Sequence, residues 1–329
     1  MTAGTHRARA VRIHAGGGPE VLRYDEIELA EPGPGEVLVR QTAIGVNFLD
    51  IYQRRGVYST PMPFVGGNEG VGIVEATGPG VTGLAVGDRV GYAMVIGAYA
   101  DRRLIAAHRL VPIPDDVDDL MAAAALLKGM TAEFLLHRTV RIEPGQTILI
   151  HAAAGGVGLI LCQWGSALGA TVIGTVGSPE KAALASANGC HHVIDYRTES
   201  FVDRVRSLTS GRGADVVYDS VGADTFMASL DAVRRRGMLV TFGQSSGVVP
   251  EISPLLLSRK GSLYLTRPTI ADYIADRAEL IDSASRLFAA ISSGTIRIRI
   301  DRTLPLADAA AAHRALEGRE TTGSVVLVP

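Results

Sequence analysis

The stretch TILIHAAAGGVGLILCQWGSALGATVIGTVGSPEK, residues 147–181, decides the fold. A short apolar run, TILIHA (147–152), leads into HAAAGGVG (151–158), and a helical segment follows over 156–168. A second run rich in β-branched residues, ATVIGTV (170–176), comes next. This is the spacing of a βαβ unit, with glycines at the strand-to-helix turn, where the backbone must fold tightly and approach an anion. The N–H groups of the first helical turn and the positive end of the helix dipole then face a pyrophosphate. The match to G-x-G-x-x-G is incomplete, because Ala153 stands at the first position, ahead of Gly155 and Gly158. A tight turn that binds nothing is the bland alternative. The strand before, the helix after and the strands beyond favour a dinucleotide site at Gly155, Gly156 and Val157.

Between Pro144 and Pro179 no Asp, Glu, Lys or Arg occurs. Glycines, Gln163 and Ser166 interrupt that stretch, so it holds no purely apolar run of membrane-spanning length. Strands of a parallel sheet covered on both faces read in the same way. Four more strand-like runs follow: HHVIDY (191–196), ADVVYDSV (214–221), GMLVTFG (237–243) and SLYLTRP (262–268). Helical segments near 179–188, 199–209 and 224–235 separate the first of them, and a helix over 121–140 precedes the whole series. Strict alternation predicts a doubly wound parallel sheet, an α/β Rossmann domain. Residues 1–125 instead hold short β-branched runs between Gly-Pro turns, such as EVLVRQTAIGV (36–46), GVGIVEATG (70–78) and DRVGYAMV (88–95). After Pro268 come a helix near 271–293, a strand TIRIRI (295–300), a helix near 307–317 and a strand SVVLVP (324–329). The economical organisation is a Rossmann domain, 126–268, inserted into a β-rich domain built from 1–125 and 269–329. A ligand is expected in the cleft between them.

The chain has 329 residues, 47% of them hydrophobic and 20% charged, enough for two packed domains. Lys+Arg 32 against Asp+Glu 34 leaves a formal charge of −2, which gives no electrostatic reason to bind nucleic acid or an anionic membrane. Two cysteines, Cys162 and Cys190, make neither a disulfide framework nor a four-cysteine zinc site. They read as buried thiols of a reducing compartment, and the chain as cytoplasmic. The N-terminal MTAGTHRARAVRIHAGGG lacks the apolar run of a signal peptide.

An acid at the end of the second strand usually holds the ribose 2′-OH of NAD. Here that position reads GTVGSPEK (174–181), with Gly177 and Ser178 at the strand end and Lys181 one turn later. Without a carboxylate, a 2′-phosphate meets no repulsion, and a hydroxyl and a lysine can bind it. The alternative for Lys181, one of three lysines in the chain, is a solvated helix residue. Tyr196, at the end of the third strand, is placed to pack beside the adenosine phosphate.

Several further stretches carry a resemblance: HAGGGPEVLRYDEI (14–27), AIGVNFLDIYQRRGVY (43–58), GNEGVGIVEATGPGV (67–81), AAALLKGMTAEFLL (123–136), RRRGMLVTFGQSSG (234–247), KGSLYLTRP (260–268) and HRALEGRETTGSVVL (313–327). With HAAAGGVGLILCQW they span nearly the whole chain. The chain resembles the zinc-independent medium-chain dehydrogenase/reductases of the NADPH-dependent quinone oxidoreductase (zeta-crystallin-like) branch, above all the bacterial ones. The resemblance implies that the β-rich domain is GroES-like and that NADPH is the cofactor. It puts Asn47, Phe48, Asp50 and Tyr52 at the nicotinamide end, and Lys128 and Thr131 by the ribose and phosphates. It adds the strand-end residues Ser220, Val221, Phe242, Gly243 and Ser245, then Leu265 and Arg267, and brings Arg319 back to the cofactor. Zinc-dependent relatives carry Cys and Gly-His-Glu where this chain has Asn47 and Gly67-Asn68-Glu69, so no metal is expected.

Chemistry without a metal needs a substrate that accepts hydride readily, a quinone or a conjugated carbonyl. The protein then positions it and excludes water, with hydride or single electrons passing from NADPH. Tyr52 is the candidate proton or hydrogen-bond donor and Asn47 the orienting residue. Three alternatives stay open: an alkenal or enone reductase, an enoyl reductase of the same fold, and a non-catalytic NADPH-binding protein of crystallin type. The apolar SLYLTRP segment predicts a homodimer through the edge of the Rossmann sheet.

Overall fold

The computed structural model describes residues 5–329. The chain begins with β1 (Thr5–Ile13), β2 (Leu22–Ala30), β3 (Glu36–Val46) and α1 (Phe48–Arg54). Next come β4 (Phe64–Val65), β5 (Glu69–Thr77), β6 (Arg89–Ala93), β7 (Arg102–Ala106), β8 (Val111–Pro112) and α2 (Asp119–Phe134). The alternating part holds β9 (Thr147–Ile150), α3 (Gly156–Ala167), β10 (Thr171–Val176), α4 (Pro179–Ala187), β11 (His192–Asp195) and α5 (Phe201–Leu208). It continues with β12 (Ala214–Asp219), α6 (Phe226–Ala232), β13 (Val233–Thr241), α7 (Leu255–Arg259) and β14 (Tyr264–Thr266). The last elements are α8 (Ile270–Tyr273), α9 (Arg277–Ser292), β15 (Ile300–Pro305), α10 (Ala309–Glu317) and β16 (Ser324–Val328).

Two compact units result. One holds the residues up to Met130 with Ile274–Ser292 and Ile298–Pro329; the other holds Thr131–Tyr273 with Ser293–Arg297. The expected junctions, 125/126 and 268/269, are shifted. Helix α2 runs unbroken past 125. At the return, Tyr273 stacks on Phe134 with ring centroids 4.4 Å apart, which keeps α8 with the second unit.

In the second unit, among the described residues, six parallel strands lie in the order β11-β10-β9-β12-β13-β14. This is the doubly wound order, which reverses direction between β9 and β12 and opens a ligand crevice at the carboxyl ends of the strands. All of β9 and β12 is buried, as strands covered on both faces must be. Leu149, Ile173, Ile194, Val217, Phe226 and Leu239 form the core. Ser178 starts α4 by accepting a hydrogen bond from the Lys181 N–H, with Pro179 in the first turn.

In the first unit a seven-stranded sheet has the order β15-β16-β3-β5-β6-β8, with β7 also on β3; β2-β1-β4 form a smaller sheet. Val37, Ile44, Tyr92, Tyr99, Val325 and Leu327 share its core. The strand expected at 295–300 lies later in the chain, at β15. The side-chain amide of Gln163 takes up both backbone groups of Arg297, donating to its carbonyl at 3.1 Å and accepting from its N–H at 2.8 Å. Arg297 therefore has nothing left for a ladder. The helix expected over 271–293 is two helices, α8 and α9, with the buried Ile274 between them. The helix expected to reach 235 stops at Ala232, because Val233 pairs with Ala214 in β13. Asp119–Thr139 is long and apolar enough to cross a membrane, and 83% of that window is buried within the protein.

Leu327, fully buried in β16, tests the closure of the first sheet. Leu327→Ala is expected to cost about 2–5 kcal/mol in urea unfolding. The neighbouring Val328→Ala, at a 38% exposed position, is expected to change stability by no more than about 0.5 kcal/mol.

Candidate active site

In the second unit β9 ends at Ile150 and the chain turns through residues 151–155 into α3. Ala152 has φ 54°, a left-handed backbone that costs a residue with a Cβ about 1 kcal/mol or more and that collects at functional turns. The turn is pinned by Ala153 N–H donating to the Thr175 carbonyl at 3.0 Å and Gly155 N–H donating to the Ala152 carbonyl at 2.9 Å. Helix α3 has no side-chain cap at Gly155. The N–H groups of Gly156 and Val157 have no intrahelical acceptor and are offered to an anion.

Gly177, Ser178, Lys181 and Tyr196 come together at the ends of β10 and β11. A Cβ on Gly177 would run into the Tyr196 hydroxyl, so only glycine lets that ring lie there. Tyr196 is 44% exposed. The Ser178 hydroxyl is part of the cap of α4 and also bonds Glu180; the backbone N–H of Glu180 and then Ser178 hold that exposed carboxyl below the usual carboxylate range.

The other expected strand-end residues also gather. Asp219, fully buried at the end of β12, accepts from the N–H groups of Val221 at 2.8 Å and Gly222 at 3.1 Å, fixing the loop that begins at Ser220. The Phe242 N–H donates to the Asp219 carbonyl, and the Ser245 N–H to that of Ser220. Arg267 donates to the Gly243 carbonyl at 3.0 Å; Leu265 pairs with Leu239. Beside them Thr241 Oγ1 is buried without a partner in the structure. Asp219 also accepts from Ser229, Ser229 meets His151 Nε2 at 2.9 Å, and His151 Nδ1 meets Thr175 at 2.9 Å. Burial pushes the pKa of His151 down, so it sits neutral between two hydroxyls. This chain, unforeseen from sequence, joins the loop after β12 to β10 two residues before Gly177.

In the first unit the segment after β3 forms a second cluster. Glu69, fully buried on β5, accepts from Asn47 Nδ2 at 2.8 Å, Lys128 Nζ at 3.3 Å and the Leu127 N–H at 2.7 Å. Gly45 faces Glu69 across the β3–β5 pair, and a Cβ there would strike its carboxylate. Asp50 accepts from the Asn47 N–H at 2.8 Å, from Asn68 Nδ2 at 2.7 Å and from Tyr99 Oη at 2.9 Å. Phe48 and Tyr52 lie on α1 with ring centroids 6.2 Å apart, and Tyr58 meets Tyr52 edge-on at 5.6 Å. Glu69 is thus the hub of the cluster. Thr131 is buried in α2 and belongs to the second unit. Arg319 is exposed just beyond α10, with φ 57°.

Two family models match: the alcohol dehydrogenase GroES-like domain over residues 33–115 and the zinc-binding dehydrogenase domain over 156–283. The second name implies zinc, and the residues do not fit it. Among the described residues no group of three or more His, Cys, Asp or Glu is placed to hold a metal. The carboxylate at Glu69 is met by an ammonium and two N–H donors instead. A quinone oxidoreductase of Pseudomonas aeruginosa is 51% identical over 98% of this chain and all of that protein. A 2-haloacrylate reductase of Burkholderia is 47% identical over 97% of this chain and 98% of its own. The crystal structure of the Escherichia coli quinone oxidoreductase complexed with NADPH superposes with a TM-score of 0.96 at 46% identity, over 98% of this chain and all of that one. Through these full-length likenesses, the chain belongs to the quinone oxidoreductase family of the medium-chain dehydrogenase/reductases.

Proposed function

We propose that this protein is an NADPH-dependent quinone reductase that works without a metal. The observation that carries the reading is the second unit's uncapped α3 turn together with the Gly177–Ser178–Lys181–Tyr196 cluster. The α3 N–H groups hold the pyrophosphate, and Ser178, Lys181 and Tyr196 hold the 2′-phosphate end. Arg267 and the loops at Ser220, Val221, Phe242, Gly243 and Ser245 line the same carboxyl ends of the strands. Thr241 Oγ1, buried and unpartnered, offers a hydrogen bond there. When bound, the reduced nicotinamide supplies the reducing equivalent. The Asn47–Glu69–Lys128 cluster orients the nicotinamide end. Tyr52 donates a hydrogen bond or proton to the substrate oxygen, and Thr131 and Arg319 add contacts to the cofactor. A conjugated-carbonyl reductase is the second reading, favoured by the likeness to the 2-haloacrylate reductase. The protein is further proposed to be cytoplasmic. It is proposed as a homodimer paired along β14, an edge strand whose Tyr264 is 61% exposed.

NADPH oxidation followed at 340 nm, with 1,4-benzoquinone, 9,10-phenanthrenequinone and an α,β-unsaturated ketone, tests the substrate. Turnover of the quinones with NADPH over NADH is expected; turnover of the ketone alone moves the assignment to the second reading. Lys181→Ala is expected to raise KM for NADPH by roughly 10- to 100-fold, with kcat and the NADH kinetics little changed, as the loss of one charge-assisted bond predicts. Sedimentation velocity at micromolar concentration is expected to give a dimer, and Tyr264→Glu to shift it toward monomer.

A further inference from the structure

The mechanism above leaves one buried polar chain in the first unit unused. Arg54 is fully buried on α1; it donates through Nη2 to Glu317 at 2.7 Å and through Nε to the Gly17 carbonyl at 3.0 Å. Its Nη1 lies 2.9 Å from Nδ1 of His313, which comes from α10 and is itself fully buried. His313 Nε2 lies 2.9 Å from Tyr99 Oη, and Tyr99 Oη lies 2.9 Å from Asp50. The direction of every bond follows from chemistry. A guanidinium only donates, so His313 Nδ1 must accept and its proton must sit on Nε2. His313 then donates to Tyr99, whose own O–H is left pointing at Asp50. Burial and the Arg54 charge push the His313 pKa down to about 3, in keeping with a neutral ring.

We propose that Tyr99 and His313 are positioning residues of the reaction: their one-way hydrogen-bond chain from Arg54 holds Asp50 as an ionised acceptor, and Asp50 in turn holds the Asn47 backbone at the head of α1. The inference rests on the reading of Asn47 and Tyr52 as nicotinamide-end residues. All three neighbours bonded to Asp50, namely Asn47 N–H, Asn68 Nδ2 and Tyr99 Oη, are donors. A protonated Asp50 finds an acceptor among them only if the Asn68 amide or the Tyr99 hydroxyl turns out of its present bond, and Tyr99 cannot then donate to His313 while Arg54 dictates the His313 tautomer. Asn47 N–H and Tyr99 Oη share one oxygen of Asp50 and Asn68 Nδ2 holds the other, so protonation displaces one of these donors and loosens the hold on Asp50 at the start of α1, the helix that carries Tyr52. The charged groups around Asp50 are Lys128 on α2, with Glu69 on β5 beyond it, and Arg54 with Glu317 behind His313. Burial pushes the Asp50 carboxyl up to about 6, against the pull of its donors and Lys128.

The experiment follows kcat/KM for quinone reduction from pH 5 to 8. It is paired with infrared titration of the buried carboxylic acid band, which needs no turnover. Wild type is expected to lose activity below pH 6 as the acid band appears. Tyr99→Phe removes a donor to the ionised form, so both midpoints are expected to rise by about one pH unit, and activity is expected to recover as the pH is taken above the new midpoint. Asp50→Asn is expected to abolish the band and flatten the acid limb. His313→Gln keeps a donor facing Tyr99 and is expected to stay near wild type. An acid limb unmoved by Tyr99→Phe, or one that survives in Asp50→Asn, overturns the proposal. A band that titrates as described in an enzyme that turns over no quinone supports the chain and overturns the quinone reading instead.

Discussion

A carboxylate taken out of water has to be met by donors, and Glu69 is taken out of water entirely. Its three donors come from three places: the residue ahead of α1, the backbone of α2 and a lysine side chain of α2. Meeting that demand draws β5, the β3–α1 junction and α2 to one point. It also dictates what stands opposite, since only a glycine at 45 leaves room for the carboxyl group. The arrangement is costly to break, because removing one donor leaves a charge stranded in a low-dielectric interior.

The same rule governs both units. Asp219 and Asp50 are buried at element ends and are surrounded by N–H and O–H groups. In each case a neutral histidine stands further along, its tautomer set by a group that can act in only one sense: Arg54 must donate to His313, and Ser229, which donates to Asp219, must accept from His151. Histidines that would be switches in water serve here as fixed connectors with one donor end and one acceptor end.

The fold was legible wherever local pattern and burial agree. The apolar runs at 147–150 and 171–176 read as strands because their side chains are buried, and Ser178-Pro179 reads as a helix start because the cap is local. Legibility fails where a distant side chain overrides the pattern: TIRIRI has strand composition, yet Gln163, 134 residues away, occupies the Arg297 backbone. At the site, the turn residues and the cluster around Gly177 follow from spacing. Asn47, Asp50 and Lys128 carried no local signal and were reached through family resemblance. Tyr99, His313 and Arg54 were missed, since they meet across 214 and 259 residues of sequence and each alone reads as core or surface.

The sheet of the first unit takes its centre from both sides of an insertion. β16 pairs with Ile44, Gly45 and Val46 of β3, immediately ahead of Asn47. During synthesis the nascent chain therefore emerges with that slot empty, and every residue of the second unit leaves the ribosome before the strand that fills it. The inserted unit can close on its own schedule while its host waits. The backbone edge left open meanwhile is short, because β7 already covers Glu36 to Arg40 on the same strand. Three open backbone positions are a poor template for a stray strand, so what the unfinished host leaves uncovered is mainly apolar side chains, the core face that Leu306, Leu316, Val325 and Leu327 later close.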